Sequence, residues 1–457
     1  MKALSFLILL CTSVVHSTES RPNVLFIAID DLRPELGCFG SAQVKTPHID
    51  KLASTGMVFT RAYCQVPVCG ASRASLMTGI LPTRSRFVEF STKAETDAPG
   101  AITLPEVFKN AGYTTLSHGK IFHEKTDTQS RSWSIPAWRP VDKMYGNDPE
   151  TKLHISNTKK RGRVFESPDV PDNAYADGQI AAKTIEKLQR FKQTGKPFFL
   201  ACGFMKPHLP FYAPKKYWDL YDRKKINIAD NRDRPKNAPK ELNGSNEFRS
   251  YHLAGFDENS EEFHRMMRHG YLACTSYVDK LTGDILAELE KLGLAENTIV
   301  VLWGDHGFHL GEHNFWGKHN TMHLSSRVPL IVKVPGKKAG TTSSIVETSD
   351  IFPTLCTVAG LATPETIQGR DFSALLEDPK KPFREAAYSR YINGDAVITP
   401  TFSYTSYKGG KSRMLYDLEK DPHENTNLAD QPAYSEMVKR MSILLKQRQE
   451  EALQFGN

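Results

Sequence analysis

Asn23-Val24-Leu25-Phe26-Ile27-Ala28-Ile29-Asp30-Asp31 is an apolar run that stops on two carboxylates. Its residues do not alternate between polar and apolar, so the run predicts a strand buried on both faces, as in the interior of a parallel sheet. Downstream, Thr46-Pro47 opens a helix carrying Ile49, Leu52 and Ala53 at helical spacing, and an apolar run follows at residues 57–59. Residues 104–120 repeat the cycle. Residues 175–192 read as an amphipathic helix and 197–203 as a buried strand that runs on to Lys206-Pro207-His208-Leu209-Pro210-Phe211. A helical stretch at 263–292 then feeds an apolar strand at 298–303, which ends on Gly304-Asp305-His306-Gly307. This alternation predicts an α/β fold with a large, mostly parallel or mixed sheet sandwiched by helices.

Residues 127–171, with Trp133 and Trp138, and residues 215–241 are polar, charged and broken by Pro, and read as loops. After about Asp371 the alternation stops. Segments 388–391, 396–407 and 413–417 resemble short antiparallel strands, and 437–455 a terminal helix. The chain of 457 residues exceeds one compact core, and divides into a catalytic α/β domain over 21–370 and a smaller C-terminal α+β subdomain over 371–457.

Met1-Lys2, an apolar run from Ala3 to Val15, and the small residues Ser17 and Ser20 predict a cleavable signal peptide over residues 1–20. The run is too short for a membrane span, so the protein is expected to be secreted or periplasmic. Removing the signal takes away Lys2 and Glu19, one charge of each sign, and leaves the net charge at +7. Such a surplus suits an anionic substrate and equally an ordinary solvated surface; no nucleic-acid partner is expected. Seven Cys stand at 11, 38, 64, 69, 202, 274 and 356 without close paired spacing, leaving buried thiols and disulfides both open.

Asp30 and Asp31 follow one apolar strand, Asp305 and His306 another, so a parallel sheet can bring all four to its carboxyl edge, where open α/β sheets bind ligands. Three carboxylates in one place need a cation, and oxygen donors favour Ca²⁺ or Mg²⁺. An Asp pair taken alone also serves as a turn or helix cap.

Cys69-Gly70-Ala71-Ser72-Arg73, followed by Leu76-Met77-Thr78-Gly79, resembles the signature of the formylglycine-dependent sulfatases, members of the alkaline-phosphatase-like superfamily. The resemblance continues through 23–31, 46–53, Gly119-Lys120, the Lys206-Pro207-His208 segment, Asp305-His306-Gly307 and the tail at 415–422. Asp30-Asp31-Leu32-Arg33-Pro34, Gly119-Lys120-Ile121-Phe122-His123 and Lys206 to Phe211 are similar to segments of the iduronate-2-sulfatase branch.

This resemblance implies an alkaline-phosphatase-like fold and a maturation enzyme that oxidises Cys69 to formylglycine. It implies Ca²⁺, in preference to Mg²⁺, held by Asp30, Asp31, Asp305, His306 and an oxygen of modified Cys69. Arg73, Lys120 and Lys318 would hold the sulfate and offset charge on the leaving oxygen, with Lys120, Lys318 and His208 touching substrate. A formylglycine hydrate offers one hydroxyl to attack sulfur; deprotonating the other expels sulfate from the sulfoenzyme intermediate and restores the aldehyde. His123 is assigned as base beside the diol and His208 as acid beside the leaving oxygen. The implied substrate is a sulfated glycan or oligosaccharide, a 2-O-sulfated uronate in an acidic chain. Arg131, Arg139, Lys159, Arg161 and Arg163 offer partners for glycan carboxylates, and Trp133 or Trp138 a stacking surface; a solvated loop explains them equally. His309, His313, His319 and His323 read mostly as loop residues.

Two alternatives stand beside this reading: a phosphodiester or phosphonate hydrolase of the same superfamily, and a glycan-binding protein with Cys69 unmodified. The sequence departs from the family pattern at Ala71, where Pro is usual, and Pro would favour the extended form in which the pentapeptide is read. Mass spectrometry of the peptide spanning Cys69 from the native host is expected to find the aldehyde; a thiol throughout would refute the catalytic assignment.

Overall fold

The computed structural model describes residues 21–140 and 161–455. The expected signal peptide and Lys159 lie outside the described residues.

Strands β1 (Asn23–Ile29), β2 (Met57–Tyr63), β3 (Thr114–Gly119), β4 (Phe198–Phe204), β5 (Thr298–Gly304), β6 (Arg327–Lys333), β7 (Gly340–Thr342) and β8 (Val346–Glu347) form one eight-stranded sheet. Across it the order is β7-β2-β6-β5-β1-β4-β3, with β8 also on β2. The four strands β5, β1, β4 and β3 are mutually parallel, and β6 runs antiparallel between β2 and β5. The sequence reading assigned no element to β6, although Val328 to Val332 is a buried apolar run.

Strand β1 shows how the sheet organises two cores. Its alternate residues point to opposite faces. Leu25, Ile27 and Ile29 enter one cluster with Ile49 and Leu52 of α1 (Pro47–Ala53), Ile180 and Leu188 of α4 (Ala176–Thr194), and Met267 and Val278 of α5 (Glu261–Lys291). Val24, Phe26 and Ala28 enter the other with Leu76 of α2 (Cys69–Thr78), Phe108 of α3 (Leu104–Asn110) and Phe352 of α6 (Ile351–Val358). Three helix starts have a local cause in the sequence. Thr103 caps α3 in a capping box with Glu106, Ser260 accepts from Phe263 N at the head of α5, and Pro47 opens α1.

Strands β9 (Ala387–Tyr391), β10 (Gly394–Ile398), β11 (Phe402–Tyr407) and β12 (Ser412–Asp417) make an antiparallel meander, covered by α7 (Ser435–Leu453). The stretch read as one strand at 396–407 is two, separated by a turn. Val438, Met441 and Leu445 pack on Val397, Tyr404 and Leu415. Arg448 fastens α7 to the main sheet through both carboxylate oxygens of Glu347, at 2.8 Å each.

The expected loop at 127–171 contributes a short helix at Gln129–Ser132 and buries Trp133 against Phe122 and Phe199. Trp133 is therefore core and offers no stacking surface. The thiols of Cys38, Cys64, Cys69, Cys202, Cys274 and Cys356 are all free. Among the described residues no helix is long and apolar enough to cross a membrane.

One close approach prepares the site. A Cβ on Gly203 would meet the Lys120 carbonyl oxygen at 2.1 Å, and one on Gly119 the Gly203 carbonyl oxygen at 2.0 Å. Two glycines let β3 and β4 draw together where the chain turns into Lys120. Gly203→Ala is expected to cost about 1–3 kcal/mol through overpacking, read as a lower thermal unfolding midpoint together with lost activity.

Candidate active site

The four parallel strands end side by side. Asp30 follows β1, Asp305 follows β5, Lys120 follows β3, and Met205 follows β4, so their side chains gather at one carboxyl edge, while the Lys206 ammonium turns back to the carbonyls of His208 and Pro210. Asp31 has φ 60, a conformation disfavoured for most side chains but accessible to Asp. Its amide donates to Asp305 Oδ1 at 3.0 Å and its carbonyl accepts from Tyr271 Oη at 2.8 Å, and these bonds hold it there.

Cys69 is the first residue of α2, facing this edge, with Sγ 3.3 Å from His306 Nε2. Gly70 makes room: a Cβ there would meet the Phe90 carbonyl oxygen at 2.0 Å, so the 90 loop closes over the helix start. Burial and Asp30 oppose ionisation of Cys69, but Lys120, Lys318 and His306 outweigh them and hold its pKa well below the usual thiol range.

Three buried carboxylates meet three fixed cations. Lys120 Nζ lies 2.5 Å from Asp30 Oδ2, Lys318 Nζ 2.9 Å from both oxygens of Asp31, and Arg73 bridges Asp30 Oδ1 at 3.1 Å and Asp305 Oδ2 at 3.0 Å. Arg73 also donates to the Lys120 and Ile121 carbonyls and lies 5.7 Å from the Trp303 ring centre. Its donors are thus spent on the protein, and it stands behind Cys69 instead of lining the cleft. Burial would raise the Asp30 pKa, yet Lys120 and Arg73 hold it low; burial and the Asp30 charge push Asp305 up.

In front of Cys69 opens a cleft of about 590 Å³, lined by Lys120, His123, His208 and Lys318. His208 Nδ1 donates to the Leu209 carbonyl at 2.6 Å, which turns Nε2 towards Glu247 Oε1 at 3.5 Å. Despite burial, Asp31 and Glu247 push the His208 pKa up to about 9. Glu247 also pairs with Lys318 at 3.2 Å, and against burial Lys318 and His208 hold it at about 2. His123 makes an edge contact with Phe90, and its Nδ1 has no hydrogen-bond partner among the described residues.

The sequence reading missed Glu247, Phe90 and Tyr251, all on the cleft wall, because nothing in loop sequence marks their convergence. Of the basic loop residues, Arg139 and Arg161 line the cleft. Arg131 instead pairs with Glu95 and Glu106. His319 reaches the cleft, whereas His309 and His313 are buried away from it.

The family model described as Sulfatase matches residues 22–361. The chain belongs to the sulfatase family. A second model, described as N-sulphoglucosamine sulphohydrolase, C-terminal, matches residues 311–451 of this sulfatase. Iduronate 2-sulfatase of Homo sapiens is 31% identical over 476 residues, spanning 94% of this chain and 80% of that protein. The solved structure of a 2-O GAG sulfatase has a TM-score of 0.75 at 25% identity, covering 95% of this chain and 93% of that one. The phosphonate monoester hydrolase of Agrobacterium radiobacter, 23% identical with a TM-score of 0.76 over 94% of this chain and 96% of its own, shares the fold. As a family member the protein is a sulfuric ester hydrolase, and the family implies formylglycine and a divalent metal.

The donor set of this sulfatase fits such an ion. Ligand atoms of Asp30, Cys69, Asp305 and His306 lie within 4.8 Å of one another, as do those of Asp30, Asp31, Cys69 and His208. His306 Nδ1 donates to the Gly307 carbonyl at 3.0 Å, which turns Nε2 towards Asp31 and Cys69. Against burial, Asp305, Cys69 and Asp31 push its pKa up to about 10, so an ion bound at Nε2 would displace a proton from it. A dication would also keep Asp305 ionised. Dialysis against a chelator is therefore expected to lower the thermal unfolding midpoint, by about 2.7 kcal/mol of stability where the ion had been present at 100 times its Kd, and added divalent metal to restore it. An unchanged midpoint with no bound metal by elemental analysis would refute the metal centre.

Proposed function

We propose that this sulfatase removes sulfate from a 2-O-sulfated uronate in an acidic glycan, with formylglycine derived from Cys69 as nucleophile. The observation that carries the reading is the position of Cys69: at a helix N-terminus, within 3.3 Å of His306, at the floor of a cleft whose walls hold Lys120, Lys318, His123 and His208. Asp30, Asp31, Asp305 and His306 would hold Ca²⁺, which suits carboxylate oxygens, and the formylglycine side chain would complete the set. When bound, the ion polarises the sulfate oxygens and favours the ionised form of the attacking hydroxyl.

This chain's own residues do the rest. Lys120 and Lys318 bind the anionic ester and offset charge growing on the bridging oxygen. His208, kept protonated with Nε2 towards the cleft, donates to the leaving sugar oxygen. His123, on the wall of the same cleft, accepts the proton that releases sulfate. Arg73 acts through Asp30 and Asp305, fixing where they point. Arg161 adds positive charge on the cleft wall beyond what one sulfate needs, which suits a substrate that also bears a carboxylate, whereas Arg139 spends its donors on the carbonyls of Gly119, Phe122 and His123 and braces that wall; the likeness to human iduronate 2-sulfatase supports the same class. An exported, soluble setting agrees with such a substrate.

Sulfate release from defined uronate-containing oligosaccharides, after the aldehyde has been verified, tests the reading. Release from 2-O-sulfated uronates is expected, with His208→Ala and His123→Ala each lowering kcat about 10²–10⁴-fold and Cys69→Ala abolishing turnover. Activity confined to small aryl sulfates would refute the glycan assignment, and faster release of phosphate than of sulfate from matched esters would favour the phosphonate hydrolase alternative.

A further inference from the structure

We infer that the cleft continues into a second chamber that takes an uncharged sugar ring next to the sulfated one, so that the preferred substrate is an oligosaccharide. This rests on the glycan reading above and extends it. The chamber measures about 470 Å³, inside the range of about 300–1,000 Å³ usual for small-molecule sites. Ser245, Asn246 and His319 line both cavities, so the two adjoin there and the inferred opening lies between these residues. His319 directly follows Lys318, and Asn246 directly precedes Glu247. A ligand whose sulfate lies against Lys318 and whose bridging oxygen faces His208 therefore has its remainder beside this opening.

The two cavities differ in charge. Cations crowd the first, whereas the lysine of the second, Lys408, is paired with Glu241 at 3.2 Å. Amides, hydroxyls and rings make up the remaining wall, including Asn320, Thr321 and Tyr407. The rings of His319 and Tyr391 lie parallel, 7° apart in tilt with centres 5.4 Å apart, and stiffen the side nearest the opening. Such a wall suits the apolar C–H face and the hydroxyls of a neutral pyranose. A second sulfate or carboxylate would find no unpaired cation there among the described residues.

The lip of the chamber adds an independent sign. The hairpin between β9 and β10 turns at Ile392, which is 51% exposed and has φ 46. A hairpin turn ordinarily gives such a conformation to Gly, and a branched apolar residue is strained in it. Glycine would serve the turn better, and strain of this kind clusters where ligands are gripped. Beside it the Asn393 side-chain amide is exposed and makes no hydrogen bond among the described residues.

The test compares sulfate release by the full-length, aldehyde-verified enzyme from three substrates: a 2-O-sulfated uronate monosaccharide, its disaccharide with an N-acetylhexosamine, and its disaccharide with an N-sulfated hexosamine. The N-acetyl disaccharide is expected to exceed the monosaccharide in kcat/KM by about tenfold or more, mainly through KM, and the N-sulfated one to lose that advantage. Tyr391→Ala and Ile392→Gly are expected to bring the disaccharide-to-monosaccharide ratio towards one. Ile392→Gly relaxes the turn, and its unfolding midpoint shows that the fold is intact. Equal efficiency on monosaccharide and disaccharide, preference for the charged neighbour, or folded variants that keep the full ratio would each overturn the chamber while leaving uronate hydrolysis standing. Absence of release from all three would overturn the uronate reading, and this inference with it.

Discussion

Everything at the carboxyl edge of the sheet answers to one constraint: Asp30, Asp31 and Asp305 are buried together, and their charges cannot remain there uncompensated. Arg73, Lys120 and Lys318 meet them one for one, so the protein's own groups cancel before any ligand arrives. A divalent ion held by these carboxylates would then be surplus positive charge, which an anionic ester with a developing alkoxide would neutralise. The same balance explains why Arg73 is spent entirely on protein atoms. Its guanidinium ties β1, α2, β5 and the turn after β3 into one unit, so that the carboxylates and Cys69 share a fixed frame.

The sheet builds that frame from ordinary material. Parallel strands covered on both faces are apolar throughout, so each announces itself in sequence and ends abruptly where polarity begins. For this reason Asp30, Asp31, Asp305 and His306 are legible from the residues alone as neighbours on one edge. The antiparallel β6 is not, because it follows the histidine-rich segment after Asp305 and breaks the helix-strand rhythm from which the other strands are read. The turn at 399–401 differs: Pro400 marks it in the sequence, since Pro cannot donate to a ladder within a strand, and reading 396–407 as one strand passes over that signal.

Side chains that reach the cleft from loops follow no period. Arg131 and Arg139 lie close together in the sequence, yet one is captured by Glu95 and Glu106 while the other donates to the carbonyls of Gly119, Phe122 and His123 at the cleft wall. Trp133 reads as a sugar platform and is core, because a long loop over a large sheet needs an anchor of its own. Glu247 is the most consequential residue that sequence could not supply. It lies in a short 3₁₀ turn, far in sequence from both Lys318 and His208, and only the fold brings its carboxylate between them.

The Ala71 substitution acquires a different weight once α2 is in view. Val68 precedes the helix, Cys69 and Gly70 open it, and Ala71 is its third residue, fully buried. Ser72 N is the first amide to bond back within the helix, to the Val68 carbonyl at 2.9 Å. The Ala71 amide thus falls among the first-turn N–H groups that have no intrahelical partner, and Pro at this position would remove nothing the helix uses. On the count of hydrogen bonds, Pro and Ala are therefore equivalent in the folded helix. The effect of exchanging them falls on the unfolded chain, where Pro biases its neighbour at Gly70 towards the extended form and Ala does not. A maturation enzyme of the kind the family resemblance implies, reading the segment extended, would have to act before α2 forms and the 90 loop closes over it, so the effect of Ala71 would fall on recognition of the unfolded segment.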